Sequence, residues 1–496
     1  MSGEDRHIAR GLFALLFFAY AYFFGGCGFN QNATFDLTRA LVEQHTIAID
    51  RYAGNTDDVS FHAGHTYVNK APGLSFLAAV PYALMPRPQS ILATNLSLYI
   101  CTVAICGTSG ALTAVLLFAI ALRMGRTRRQ ALTLALLAGL ATPILPWSTL
   151  LFAHVPSTFL ILASFSLVSG LGPRRPMLAG AAIGLAATMN YLCIVVALIL
   201  GLLLLATSKR RLDEGWRYTL GGLPFAMGLM AYQHAAFGSA FRTAVEVMDP
   251  RYITRGAFLG ILQLPTWTAL WGITFSPYRG LFYLCPLLLI AIPGALLMRR
   301  RREWRLPFAA IAMTSLFFLV FTAGFNGWYG GWAIGPRYLL PVVPLLMVVM
   351  VAAMHRLRAL WVATALVSLF LNVAVTAVDP QPPEGIVEPI AHYELPALFT
   401  GRPANRLDVP EWLRRYYTGH TSISRVTVDD GKPFRLHPPG SIETEWASFN
   451  LGEFVFGPGS ALSLLPFVIV VGGGVWLLTR RAGRPEVAAP VAETVG

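Results

Sequence analysis

Long apolar runs recur along the chain and strongly limit how it can fold. Ten of them have at least the length of a helix that crosses a bilayer, about 17 to 25 residues, and they lie at 9–29, 93–122, 128–146, 153–171, 218–237, 279–298, 306–325, 338–354, 359–377 and 459–479. The run 176–207 is too long for one span and carries Asn190 at its middle, so we predict two short helices that turn there. Because only 13% of the residues are charged, the sequence predicts an all-α polytopic membrane protein with about 12 transmembrane helices.

Basic residues gather in short clusters between these runs. The formal net charge of +13 would favour a nucleic-acid partner in a soluble protein, but here the clusters follow the bias of Arg and Lys toward cytoplasmic loops. If 71–85 is a short interfacial helix that does not cross, all of them fall on one side, at 123–129, 174–175, 209–217, 299–305, 356–358 and 480–484. We therefore expect both termini in the cytoplasm, membrane lipids as neighbours and no nucleic-acid partner.

The predicted loops on the outer face are much longer than most of the inner ones. They cover 30–92, 238–278, 326–337 and 378–458. The predicted organisation is thus a membrane domain (1–377), an outer segment (378–458), and a last span with its cytoplasmic tail (459–496). A transporter or lipid flippase is an alternative, but short loops on both faces and an internal repeat are typical of carriers, and neither is visible in the sequence. Function is expected on the outer face.

Two carboxylates of the first outer loop are candidate proton acceptors. Residues 30–43 place apolar side chains at roughly helical spacing and predict an amphipathic helix on the membrane surface. Asp36 on this helix and Asp50 beyond it would lie near the lipid headgroups, where a carboxylate can take a proton from a hydroxyl. A solvated helix face or a helix-end charge is the alternative explanation for each.

Three basic residues of the outer loops are candidate phosphate ligands. Lys70 stands immediately before the run 71–85, Arg279 at the outer mouth of span 279–298, and Arg337 at the end of loop 326–337. Ammonium and guanidinium groups both bind phosphate, guanidinium in a bidentate manner. Anchoring at the membrane interface is the alternative for Lys70 and Arg279.

Aromatic residues and one histidine accompany these cations. Loop 326–337 is rich in Gly and aromatic residues, including Trp332, and Tyr338 follows it directly. The pattern predicts either a platform for a sugar or an ordinary aromatic belt at the membrane interface. His154 begins span 153–171, where an ionisable side chain indicates either a functional site or a structural histidine.

Several other chemistries find no support in the sequence. The five cysteines show no CxxC spacing, so neither a disulfide framework nor a zinc site is predicted. The P-loop, Gly-x-Ser-x-Gly and His-Glu-x-x-His patterns are not found. We expect no metal and no cofactor, and no ATP-driven transport.

The order of these features resembles the GT-C superfamily of integral-membrane glycosyltransferases. The relevant members are the bacterial enzymes that use polyprenyl-phosphate sugars, the relatives of protein O-mannosyltransferases and of lipid A aminoarabinose transferases. Most of residues 9–350 carry the resemblance, through the first span, the acidic helix, Tyr67-x-x-Lys70-x-Pro72, Thr142-Pro143-x-x-Pro146-Trp147-Ser148 to His154, the stretch 276–282, and Gly330-Gly331-Trp332-x-x-Gly335-Pro336-Arg337-Tyr338.

The resemblance implies an inverting glycosyl transfer at the periplasmic face of a bacterial inner membrane. A polyprenyl-phosphate-linked sugar would be the donor, and a lipid, glycan or protein the acceptor. A carboxylate would assist the acceptor while basic residues stabilise the departing lipid phosphate. The resemblance implies that Lys70 and, less directly, Arg337 contact the lipid phosphate. The further expected substrate contacts are Asn30, Tyr67, His154, Arg279, Trp332 and Tyr338.

The chain departs from the family pattern at two positions. Family members commonly carry an Asp-Glu pair soon after the first span, where this chain has Asn30-Gln31. The acidic residue often found before the lysine is Asn69 here. Either Asp36, with Asp50 in reserve, has taken the role of the missing carboxylate, or the chain is a non-catalytic relative that binds a lipid-linked sugar.

Overall fold

Helices make up most of the chain in the computed structural model, which describes residues 2–88, 90–354, 358–400, 448–457 and 460–483. The α-helices are α1 (Gly3–Ala21), α2 (Phe29–Arg39), α3 (Gly73–Ala83), α4 (Ile91–Thr102), α5 (Thr108–Arg123), α6 (Arg128–Leu140), α7 (Ile144–Trp147), α8 (His154–Val168), α9 (Pro176–Met189), α10 (Cys193–Thr207), α11 (Arg211–Phe237), α12 (Trp267–Thr274), α13 (Leu281–Leu284), α14 (Ala291–Met298), α15 (Arg305–Gly324), α16 (Val342–Met350), α17 (Arg358–Val378), α18 (Leu395–Thr400), α19 (Glu453–Phe456) and α20 (Leu465–Ala482). The predicted helical membrane fold is confirmed.

In the part of the chain that the structure describes, four helical stretches are long and apolar enough to cross a membrane without interruption. They are Ala93–Arg123, Arg302–Gly324, Arg358–Val378 and Ala461–Ala482. Other predicted spans consist of shorter pieces, often where proline removes a backbone donor; one example is the break before Pro286 between α13 and the turn that leads to α14. The number of crossings therefore stays a prediction.

The predicted break inside 176–207 is confirmed. Helix α9 ends at Met189 and α10 begins at Cys193. The side-chain oxygen of Asn190 accepts a hydrogen bond from the Leu192 backbone N–H at 3.1 Å, which satisfies a donor that the start of a helix leaves open. The two short helices are therefore separated by a local turn that this asparagine stabilises.

Helices α9 and α11 approach each other closely because glycines line their contact. A Cβ atom at Gly180 would lie 1.8 Å from the carbonyl oxygen of Tyr218. One at Gly221 would lie 1.9 Å from that of Met177. Small residues of this kind allow close helix packing in membranes, where hydrophobic association contributes little. Any side chain at these positions would force the two helices apart.

A β-hairpin, which the sequence reasoning did not predict, lies in the first outer loop. Its strands, Val59–His62 and His65–Val68, pair in antiparallel register through a turn at Ala63-Gly64. Both turn residues have positive φ, 50° and 82°, as the tight turns of two-residue hairpins require. A second pair of short strands joins Phe23–Phe24 to Phe449–Asn450.

Helix α2 is enclosed rather than spread on a surface. Its polar residues from Gln31 to Arg39 are buried along with its apolar ones. One apolar cluster, which contains residues of the hairpin and the end of α11, covers one side, and another, which contains residues of α3 and α4, covers the other. The helix itself is confirmed, and the hairpin and α3 enclose it, so its polar residues contact protein. Its predicted position at the membrane surface stays a prediction.

The predicted outer loops contact one another. The Ser60 hydroxyl donates to the Ala244 carbonyl at 2.9 Å, which joins the hairpin to loop 238–278. The Ile334 N–H donates to the Pro380 carbonyl at 3.0 Å, which joins loop 326–337 to the segment after α17. Most of the predicted outer segment (401–447) and of the cytoplasmic tail (484–496) lies outside the described residues.

Candidate functional site

Three basic side chains from distant parts of the chain converge. Lys70 lies on the turn before α3, His154 is the first residue of α8, and Arg337 ends the loop that follows α15. The positive charges of Lys70 and Arg337 both act on the His154 ring. We call these three residues the cationic cluster. Like charges repel unless an anion lies between them, so the arrangement is suited to binding one.

Two aromatic rings hold this cluster in place. The Phe152 ring stacks on His154 with centroids 5.8 Å apart, and the Tyr338 ring meets His154 edge-on at 5.6 Å. The guanidinium carbon of Arg337 lies 5.6 Å from the Phe152 centroid and 4.9 Å from that of Tyr338. Arg337 also donates a hydrogen bond from Nη2 to the Tyr338 hydroxyl at 2.9 Å. The guanidinium is thus oriented by the same rings that pack on the histidine.

Two buried polar atoms of the cationic cluster have no hydrogen-bond partner among the described residues. Arg337 Nε and His154 Nδ1 are buried and make no hydrogen bond with any residue in the described part of the chain. Buried polar atoms are nearly always hydrogen-bonded because leaving one unpaired costs free energy. A phosphate oxygen could accept a hydrogen bond from Arg337 Nε, and from His154 Nδ1 in the tautomer that carries the proton there.

Lys70 has a counter-ion that sequence reasoning missed. Its ammonium lies 3.2 Å from a carboxylate oxygen of Asp58, and 32% of the lysine side chain is exposed. The Asn69 side chain also donates to Asp58, at 3.4 Å. The hairpin register causes this contact, because pairing Val59 with Val68 sets Asp58 opposite Asn69. A phosphate that binds Lys70 would compete with Asp58.

Asp36 is fully buried, at 0% exposure. The Asn55 side chain donates to Asp36 Oδ1 at 3.0 Å, and Asn32 donates to the Asn55 carbonyl at 2.8 Å. The alternative of a solvated helix face is therefore wrong for this residue. Asn55 and Asp58 are three residues apart, so their Cα atoms lie within about 11 Å. This short segment connects the partner of Asp36 to the partner of Lys70.

Asp50 is in a different environment. Its side chain is 48% exposed, accepts a hydrogen bond from the Thr66 N–H at 2.6 Å and pairs with His65 Nδ1 at 2.7 Å. Partial burial disfavours its charge, but the hydrogen bonds from His65 and Thr66 outweigh that effect and lower the pKa of Asp50. The Asp50 carboxylate is thus half-exposed and hydrogen-bonded to His65, and its predicted catalytic role remains untested.

Glu43 is a third carboxylate of this region and is fully engaged. It accepts hydrogen bonds from the Tyr52 and Tyr82 hydroxyls and pairs with Arg39 at 3.0 Å. Burial disfavours its charge, but the bonds from Tyr82 and Arg39 lower its pKa overall. Glu43 thereby fixes the end of α2 to α3, and its contacts indicate a structural role.

Arg279 is almost completely buried, at 1% exposure, and its guanidinium donates to backbone carbonyls. Nε donates to Tyr329 and Nη2 to Gly331, each at 3.2 Å. It also lies over the Tyr278 ring at 4.2 Å. These contacts fix the loop that ends at Arg337. A direct phosphate contact by Arg279 stays a prediction.

The remaining predicted contacts are dispersed. Tyr67, on the second strand of the hairpin, packs on Phe237 with ring centroids 5.5 Å apart. Asn30 is half-buried at the start of α2, and Trp332 is half-buried beside Gly331 on the loop that Arg279 holds. Their roles as substrate contacts remain predictions. Tyr338 is the one of these that touches the cationic cluster.

Among the described residues, no group of three or more His, Cys, Asp or Glu side chains is arranged to hold a metal ion. All five cysteines are free thiols, and Cys27 is the only one that is not buried.

The solved structures similar to this chain include two of ArnT from Cupriavidus metallidurans. The structure bound to undecaprenyl phosphate is 16% identical, with a TM-score of 0.47, and the match covers 96% of this chain and 76% of that one. The apo structure is 17% identical, with a TM-score of 0.46, and the match covers 95% and 74%. No protein-family model and no curated protein matches the chain.

Proposed function

We propose that the protein is an integral-membrane glycosyltransferase that uses a polyprenyl-phosphate-linked sugar. The observation that carries this proposal is the convergence of Lys70, His154 and Arg337 at the predicted outer end of α8. A phosphate attached to a membrane lipid is an anion that would naturally reach a cationic site at this depth. The site would face the periplasm of a bacterial inner membrane, with both termini in the cytoplasm.

The cationic cluster would stabilise the leaving group. As the bond between the anomeric carbon and the phosphate oxygen breaks, its electrons pass to the lipid phosphate, whose negative charge grows. Lys70 and Arg337 would stabilise this charge. The Phe152 and Tyr338 rings lower the local dielectric, which strengthens the attraction. The cluster therefore acts most strongly in the transition state, as catalysis requires.

Asp36 would act as the general base for the acceptor. The acceptor oxygen forms its bond to the anomeric carbon on the face opposite the departing phosphate, so the configuration inverts. Its proton passes to the Asp36 carboxylate, which the Asn55 side chain orients. Asp36 thereby takes the place of the carboxylates that the family pattern would put at Asn30-Gln31.

The test is release of polyprenyl phosphate from a panel of polyprenyl-phosphate hexoses by the purified protein in nanodiscs. Wild type should release the lipid phosphate in the presence of an acceptor alcohol. Asp36→Asn should lower turnover by a factor of about 100 or more with donor affinity unchanged, because general-base assistance is lost. Asp213→Asn, at an exposed pair with Arg217 on the predicted cytoplasmic side, is the control and should retain activity.

Other outcomes would assign other functions. Full turnover in Asp36→Asn would remove this residue from the mechanism. Binding without release by wild type would indicate a non-catalytic relative, which the amides at Asn30-Gln31 would favour. Movement of labelled lipid between leaflets, with no sugar released, would indicate a flippase.

A further inference from the structure

A group of uncharged polar side chains lies where α9 and α11 end. Tyr191 follows Asn190 in the turn between α9 and α10, while Tyr232 and Gln233 lie near the end of α11. Tyr232 and Gln233 are 6% and 5% exposed. We call Tyr191, Tyr232 and Gln233 the tyrosine cluster.

Two hydroxyls of this cluster lack partners. The Oη atoms of Tyr191 and Tyr232 are buried and form no hydrogen bond with the residues that the structure describes. Tyr232 packs on the Phe237 ring with centroids 6.3 Å apart, and Tyr67 packs on the same ring at 5.5 Å. Buried tyrosine hydroxyls usually find a hydrogen-bond partner. Two such atoms, on the turn after α9 and near the end of α11, indicate a place where a ligand completes the bonding.

The turn that carries Lys70 packs near this cluster on both sides. Tyr67, three residues before the lysine, packs on Phe237, the ring on which Tyr232 also packs. Gly73, three residues after it, packs so closely on Thr188 that a Cβ atom would lie 2.2 Å from the threonine hydroxyl oxygen. Thr188 in turn is three residues before Tyr191. A ligand whose phosphate rests on Lys70 would therefore have its neighbouring atoms within reach of these hydroxyls.

We infer that the tyrosine cluster is the subsite for the sugar hydroxyls of the donor. Phenol and amide groups both donate and accept hydrogen bonds without carrying charge, which matches a ring of neutral hydroxyls rather than a charged headgroup. This inference rests on the proposed function, since it places the sugar next to the phosphate on Lys70. It makes Tyr191 and Tyr232 specificity-determining residues.

The experiment measures affinity in nanodiscs for undecaprenyl phosphate and for its glucose, mannose and N-acetylglucosamine esters. Tyr191→Phe and Tyr232→Phe each remove one hydroxyl and leave the ring. Each should weaken binding of the preferred sugar lipid by about five- to tenfold, as expected for one lost hydrogen bond. Affinity for undecaprenyl phosphate without a sugar should be unchanged.

Tyr218→Phe is the matched control. Tyr218 lies on the same helix, fourteen residues before Tyr232 and so about 21 Å along its axis, and its hydroxyl already donates to the Ala197 carbonyl at 2.8 Å. This variant should bind every lipid of the panel as wild type does.

The remaining outcomes separate the two proposals. If both tyrosine variants bind every lipid as wild type does, or lose affinity equally for lipids with and without sugar, the subsite is overturned. The second result would mean that the hydroxyls only support the Lys70 turn. If wild type binds undecaprenyl phosphate no better than undecaprenol, the proposed function itself fails.

Discussion

Two arginines of the predicted outer face, Arg337 and Arg279, were candidates for phosphate binding, and the structure sets them in different surroundings. Arg337 lies near Lys70 and His154. Arg279 lies close to Glu394, a fully buried carboxyl next to Asp379. The first guanidinium adds positive charge to a group that needs an anion, whereas the second is held by backbone carbonyls beside a buried carboxyl.

The hydrogen bonds of the two arginines agree with this contrast. Arg279 donates to the carbonyls of Tyr329, Gly331 and Tyr278. Arg337 keeps a buried Nε without a partner among the described residues. Burial alone therefore does not distinguish a ligand-binding arginine from a structural one. The surrounding charges and the unused donors do.

The largest effect is expected for Arg279→Gln. Removing this buried guanidinium leaves three backbone carbonyls without their donor, at about 1 to 3 kcal/mol each, so stability should fall by about 3 to 5 kcal/mol. Thermal unfolding of the detergent-purified protein would show a clearly lower Tm. The folded fraction should still bind undecaprenyl phosphate within about threefold of wild type. A normal Tm with lost lipid binding would reverse the assignment of the two arginines.

Arg337→Gln should give the complementary result. Loss of charge-assisted hydrogen bonds to phosphate weakens binding of undecaprenyl phosphate by about 10- to 100-fold, with little change in Tm. Arg337→Lys keeps the charge but loses the planar fork, so its affinity should be intermediate. Lipid titration of the three proteins in nanodiscs would measure this. Equal affinities would mean that Arg337 is not a phosphate ligand.

Glu394, the buried carboxyl near Arg279, should make the stability of the fold depend on pH. Burial, followed by the charge of Asp379, raises the pKa of Glu394 well above its usual value. The folded protein thus keeps a proton that the unfolded chain releases. This contribution to stability is complete below the ordinary glutamate pKa and falls as pH rises, by up to about 1.4 kcal/mol per pH unit.

Glu394→Gln should remove that slope, because the amide keeps a neutral polar group at every pH. The measurement is Tm from pH 5 to pH 8 for wild type and variant. Glu388→Gln is the control, since Glu388 is 46% exposed and pairs only with His392 among the residues described. The account of this acidic region is wrong if wild type and Glu394→Gln lose stability in parallel as pH rises.

The smallest effect is expected for Asp58, the counter-ion of Lys70. Asp58→Asn removes the counter-ion of Lys70, which should raise affinity for undecaprenyl phosphate by about two- to fivefold, the range of a partly exposed ion pair. The control is Asp213→Asn, which breaks an exposed pair with Arg217 on the predicted cytoplasmic side. A decrease in affinity would show that Asp58 positions the lysine for binding rather than competing with phosphate.

Much of the fold could be predicted because it depends on local sequence. Apolar run length located the helices, and Asn190 marked the break between α9 and α10. The hairpin had a local signal that was missed, since Ala63-Gly64 lies between short alternating segments. The enclosure of α2 had none, because it depends on which distant elements cover the helix.

The site could be predicted residue by residue but not as an arrangement. Lys70, His154 and Arg337 were each identified from their neighbours in sequence, whereas their convergence depends on how distant segments pack. The ion pair of Lys70 with Asp58 depends on strand register, which composition does not reveal. The two arginines looked alike for the same reason, because the carboxyl beside Arg279 comes from a segment more than 100 residues away in the chain.

The most direct test of the central claim compares two lipids that differ only in the phosphate. Wild-type protein in nanodiscs would be titrated with undecaprenyl phosphate and with undecaprenol at increasing salt. The cationic cluster predicts that the phosphate lipid binds at least tenfold more tightly, and that Arg337→Gln abolishes most of this difference while Asp213→Asn does not. Equal affinity of wild type for the two lipids would contradict the account, because the three converging basic residues would then recognise no phosphate.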